Sequence, residues 1–355
     1  MSEAAALHPS RLEFKLDELL ASPKLDAPLI AGDVRCHGGF DADGHYVSPR
    51  TLWRNPAIKA WQDQHLATSP LPLVEIPQDA VPPHLPSVAQ AKLLLLEGVR
   101  EPMVRTLTEI AIIEGFGATI RELPVPPLAS FIREGVAGTA LNHLTGGLFE
   151  AHARDEAGWG EEGGHKQMWE AARDLALSRP KVPGDILMAI MGRRGSNARA
   201  GRALPKFKEE VERVLGFMTN VLIVEVFAAS TFQWAEEVLS DPEVSDAPKE
   251  AAAMIRHIRS DESPHVEYLR TALSEISART LIGEDGSAHS GAEVVQGLID
   301  RSLKFVIRQR RDERRAQMHA SIRASAKGIV TDIEGLIRRF DALETPWQPP
   351  ARFVA

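Results

Sequence analysis

Two short stretches place a glutamate and a histidine three residues apart: Glu262 and His265 in "DESPHVEYL", and Glu162 and His165 in "GEEGGHKQM". Residues at i and i+3 lie on one side of a helical turn, so each pair could aim a carboxylate and an imidazole at a single ion. Set one above the other, "DESPHVEYLRTA" and "EEGGHKQMWEAA" agree in form: an acid before each glutamate, turn-prone residues before each histidine, and an alanine at the end. Pro264 would cost ~3 kcal/mol in mid-helix but little in a first turn. The alternatives without chemistry are a helix start capped by Ser260 or Asp261 and, for the other copy, a polar glycine-rich turn.

Each pair has a glutamate upstream. Glu225 stands in "VLIVEVFAAST", apolar on nearly every face, which marks a buried helix. A buried carboxylate needs a cation or a basic partner such as arginine. Its distance from Glu262 suits the middles of two helices joined by a short turn. Glu134, in "IREGVAGTAL", precedes Glu162 in a similar setting. The chain thus reads Glu…Glu-x-x-His twice. Glu114 and Glu150 compete with Glu134 for its place, and His152 and His257 are further candidate ligands. Four carboxylates and two imidazoles, without thiolates, suit iron or manganese better than structural zinc. Glu161 and Asp261, the acids beside the motifs, are placed to orient imidazoles. "DADGHY" lacks the terminal acid of a calcium loop and reads as a turn.

This order of residues resembles the ferritin-like carboxylate-bridged di-iron superfamily, whose members take one glutamate from each of two helices and a Glu-x-x-His from each of two others. The resemblance covers about residues 87–280. It implies that Glu134, Glu162, His165, Glu225, Glu262 and His265 hold two iron ions, with manganese or a mixed pair still open, and that the four glutamates take part in catalysis. It implies a non-haem di-iron oxidase or oxygenase, with dioxygen, a small organic substrate and an electron donor as partners. Hydroxylation, N-oxygenation and desaturation all stay open. The alternatives are a ferritin-like metal-handling or peroxide-removing protein and a non-catalytic interaction bundle. Small residues after the partner glutamates (Gly135, Ala137, Gly138, Ala228, Ala229) would leave room for an apolar cavity over the metals. Tyr268, one turn after His265, lies close enough to approach them.

The elements that must position these residues read as all-α: a ferritin-like four-helix core over 86–345 with extra C-terminal helices, an irregular arm over 1–85, and a tail over 346–355. Helical patterns run over 87–123, 128–156, 161–178, 206–240, 247–278, 291–316 and 319–343. Residues 193–205 read as a basic loop, and "RSLKFVIRQRRDERR" as a solvated helix face. The arm is rich in Gly, Pro and Asp, with a hairpin expected at Asp43-Gly44. The formal net charge of −8 argues against nucleic-acid binding. A single cysteine, Cys36, excludes an internal disulfide framework and fits a reducing compartment. No signal-peptide pattern opens the chain, and no apolar run approaches the roughly 20 residues of a membrane span. The expectation is a soluble cytoplasmic protein, with a homodimer left open.

Overall fold

The computed structural model describes residues 11–77, 85–195 and 201–345. The tail over 346–355, the first ten residues of the arm and part of the basic loop lie outside them, as do the side chains of 305–314. The fold is mostly helical, at 60%, with only small sheets.

The arm is more ordered than its composition suggests. It comprises α1 (Leu16–Leu19), an antiparallel sheet of β1 (Ala27–Ala31), β2 (Val34–Phe40) and β3 (Tyr46–Val47), and the 15-residue α2 (Arg54–Thr68). The hairpin between β2 and β3 turns through Asp43 and Gly44, with Asp41 accepting the N–H groups of Asp43 and His45. Such Asx contacts are why Asp and Gly mark turns.

The expected helix over 87–123 is two. α3 (Val88–Leu96) starts at a Ser87–Gln90 capping box, and α4 (Glu101–Gly117) starts afresh with Pro102 in its first turn. The expected helix over 128–156 is largely absent. Short 3₁₀ and π turns fill that span until α5 (Phe149–Ala157). α6 (His165–Ala176) begins only at the histidine, and α7 (Ile186–Gly195) follows. α8 (Glu209–Leu239) matches its expected span closely.

The pattern over 247–278 divides at Glu262, between α9 (Pro248–Asp261) and α10 (Ser263–Ser277). Pro264 sits in the first turn of α10, where its missing N–H has no helical partner to lose. Little beyond residue 86 is strand, as expected: β4 (Thr280–Ile282) and β5 (Ala288–Ser290) form a small hairpin. α11 (Gly291–Ser325) then runs continuously through the gap expected near 317, and α12 (Ile333–Ala342) ends the described chain.

α4 packs on α5 and α6, α6 on α9, and α8 on α9 and α10; α11 crosses both α8 and α4. By length and composition alone α8 could cross a membrane; in this fold it is a central helix against α3, α9, α10 and α11. The arm closes the structure from outside, with α2 against α10 and β2 against α6.

Glu275, three turns beyond His265 on α10, is buried and accepts the N–H groups of Ala140 and Leu141, both at 3.0 Å. Burial pushes its carboxyl up from an ordinary 4.5 to about 7. The folded state then holds this proton more tightly than the unfolded chain does. Its contribution is complete below pH 4.5 and is lost as pH rises toward 7. Between those values the wild type should lose roughly 3 kcal/mol relative to Glu275→Gln, measured by urea unfolding across a pH series.

Candidate metal centre

The cluster forms where α4, α5, α6, α8 and the α9–α10 break converge. His152, Glu156, Glu225 and His265 form one group whose donor atoms lie within 4.8 Å of one another; Glu114, Glu156, His165 and Glu262 form a second. Glu156 belongs to both. All are buried except Glu114, which is partly exposed.

Each imidazole turns one nitrogen inward and the other toward a fixed partner. His265 Nδ1 lies 2.7 Å from Glu262 and 3.1 Å from Glu156, while Nε2 lies 2.9 Å from Asp155. Asp155, fully buried, accepts from Arg50 and Arg54, both at 2.7 Å. His165 Nδ1 lies 2.9 Å from Glu262, and its Nε2 lies 3.5 Å from Asp261. Asp261 in turn accepts the Tyr46 hydroxyl at 2.7 Å. His152 Nε2 lies 3.4 Å from Glu225, and its Nδ1 lies 3.1 Å from the Tyr268 hydroxyl. An imidazole bonded on one nitrogen, as His265 and His152 are, presents the other in a set orientation, as metal-ligating histidines do; neither nitrogen of His165 has a hydrogen bond.

Apart from the contact between His265 Nδ1 and Glu262 Oε2, several inward atoms are left without hydrogen bonds. Both carboxylate oxygens of Glu156, Oε1 of Glu262, Nε2 of His152 and Nδ1 of His165 are buried and unpartnered. Buried polar atoms are nearly always satisfied, so several orphans at one point indicate that something charged belongs among them. Crowding shows in the proton affinities. Burial, with Glu262 and Glu156 nearby, pushes the carboxyl of Glu225 well up; burial with Glu156 does the same for Glu114. Burial opposes charge on His165 and His265, yet the carboxylates around them, Glu262 foremost, together outweigh it and raise both. Burial and His265 lower His152 to about 3. Protons therefore occupy places that cations could take.

Of the six ligands expected from sequence, the fold brings together His165, Glu225, Glu262 and His265. Glu134 does not join them. It is exposed and accepts the Thr280 N–H and hydroxyl, both at 2.8 Å, because its segment is irregular and pairs with β4 through Ile132 and Leu281. Glu114 takes that position. Glu162 also points away and pairs with Arg35 at 3.4 Å. The i,i+3 rule fails there because 158–164 is a turn, pinned by hydrogen bonds between Gly163 and both Arg35 and His37.

Gly158 makes the turn possible. Its φ is +80°, and a Cβ there would lie 2.1 Å from the Glu162 carbonyl. Glu156, at the end of α5, supplies the carboxylate expected of Glu162. Its signal was the spacing His152-x-x-x-Glu156, one helical turn. Gly117 leaves it room, since a Cβ there would meet the Glu156 side chain at 2.5 Å.

Asp261 faces an imidazole as expected, whereas Glu161 is exposed. Glu150 pairs with Arg154 at 2.6 Å, and His257 stacks on Tyr46 outside the cluster. The small residues beside Glu134 lie with it, away from the site. Two surface hollows, of about 260 and 620 Å³, lie between Glu75 and Leu303 and around Pro124–Pro126; neither touches the cluster, so the expected apolar cavity is not one of them.

Glu156→Gln should lose the cobalt(II) ions held among the glutamates, counted per chain and followed by visible absorption, while Glu134→Gln and Glu162→Gln should keep them as the wild type does. Wild-type binding in weak buffer should release protons and weaken as pH falls, since the raised carboxyl and imidazole groups must deprotonate first.

No protein-family model, curated protein or solved structure matches this chain.

Proposed function

We propose that this chain is a non-haem dinuclear metal oxidase or oxygenase, with iron in both positions and manganese as the alternative occupant. The observation that carries the reading is the pair of four-donor groups sharing Glu156, with both Glu156 oxygens, Glu262 Oε1, His152 Nε2 and His165 Nδ1 buried and unpartnered. The donors fit such ions: carboxylate oxygens and imidazole nitrogens, no thiolate, and four glutamates to offset two divalent charges. Taken in chain order they read Glu114, then Glu156 with His165, then Glu225, then Glu262 with His265. That is the ligand order of the ferritin-like superfamily, with His152 added, and it supports α4, α5, α8 and the α9–α10 pair as a ferritin-like core.

Bound iron would supply the activation of dioxygen. The chain supplies the rest. Glu156, common to both donor groups, would help hold both ions. Asp155 and Asp261 fix the His265 and His165 rings and strengthen them as donors. Arg50, Arg54 and Tyr46 seal the arm side against water. Glu114, the partly exposed donor, lies on the side that a small substrate and dioxygen would approach. A bundle with purely structural ion pairs is disfavoured, because Glu225 faces His152 rather than an arginine.

Protein supplied with iron(II) should hold at least about two ions per chain and consume oxygen in proportion to an added small organic substrate. A count near zero defeats the reading; iron-dependent oxygen uptake indifferent to any substrate favours metal handling instead. Electron spin resonance after oxygen admission should show no long-lived tyrosyl signal. A signal lost in Tyr268→Phe would point to radical storage.

A further inference from the structure

His37 has no part in the cluster described above, yet it is as buried as the ligands. β2 carries it inward, and its N–H donates to the Gly163 carbonyl at 3.3 Å, so the pairing that pins the 158–164 turn also sets its position. It is 5% exposed, and neither ring nitrogen has a hydrogen-bond partner. Its ring lies 6.0 Å from that of His165. One donor atom from each of His37, His165 and Asp261 lies within 4.8 Å of the others. Asp261 Oδ1 is likewise buried and unpartnered. His165 turns Nε2 to this side, while Nδ1 faces Glu262.

We propose that His37, Asp261 and Nε2 of His165 form a separate mononuclear site for a divalent cation, joined to the dinuclear centre through the His165 ring. The proposal rests on the dinuclear reading for its neighbour but uses different donor atoms. Two imidazoles and one carboxylate bind divalent iron or zinc and leave coordination positions open. A water molecule would give His37 a partner but would bring no charge. Charge is what Asp261 lacks: it is fully buried, and it meets the hydroxyls of Tyr46 and Ser48 and the His165 ring. Asp155 has Arg50 and Arg54, and the four glutamates have the two ions of the dinuclear centre. A cation at His37 completes the compensation. Binding at Nε2 takes the place of the proton that His165 would otherwise carry there, and that proton leaves to solvent.

The full-length protein is loaded anaerobically with cobalt(II), desalted, counted for metal, and crystallised for anomalous diffraction at the cobalt edge. The wild type should hold about three ions per chain, one of them beside His37 and Asp261. His37→Ala should hold one fewer, with that peak gone and the pair among the glutamates kept. If the variant does not fold, the wild-type map decides alone. Peaks confined to Glu114, Glu156, Glu225 and Glu262 overturn this proposal and leave the dinuclear reading standing. A peak beside His37 with none among the glutamates supports the proposal and overturns that reading. No peak at either place overturns both.

Discussion

Four carboxylates and three imidazoles share one buried volume, and the cost of burying like charge side by side governs what surrounds them. Carboxylates so placed must take up protons or gather cations. Among the described residues no lysine or arginine reaches both oxygens of Glu156 or Oε1 of Glu262, and these three atoms have no hydrogen bond. The fold spends its arginines one layer out, where Arg50 and Arg54 neutralise Asp155. The compensation is thus arranged so that the centre itself stays open to metal.

The arm is the means of that arrangement. The outer contacts of two imidazoles lead to it: His265 through Asp155 to Arg50 and Arg54, and His165 through Asp261 to Tyr46. β2 also pairs with the 158–164 turn, which sets where α6 begins and therefore where His165 stands. A segment that composition marks as irregular thus fixes the geometry of a helical interior. The broken helices serve the same end. Glu262 and His265 straddle the break between α9 and α10, and Glu156 and His165 straddle the turn between α5 and α6, so each pair approaches the centre from a helix end.

Much of this was legible along the chain. Glu225 was legible because a glutamate embedded in an all-apolar helix must have an uncommon partner. Glu262 and His265 were legible because their i,i+3 spacing survives when Pro264 opens a helix. His165 was found through the wrong neighbour: Glu162 has the right spacing in sequence, but the glycines around it make a turn, and helical periodicity says nothing about a turn. Glu134 failed for a related reason, since its segment pairs with β4 and never becomes helical.

The sequence by itself determined the mostly helical class, the burial of Glu225 (though not of the helix around it, where Val224 is 52% exposed), and an ordered series of glutamates and histidines whose donor chemistry points to a metal. Those properties depend on residue type and local period. Only the tertiary structure decided that Glu114, Glu156 and His152 lie in the cluster while Glu134 and Glu162 lie outside it, and that Asp155 and the arm contact the imidazoles. Those contacts link residues as much as 215 positions apart, as between Tyr46 and Asp261, and no local pattern encodes such an approach.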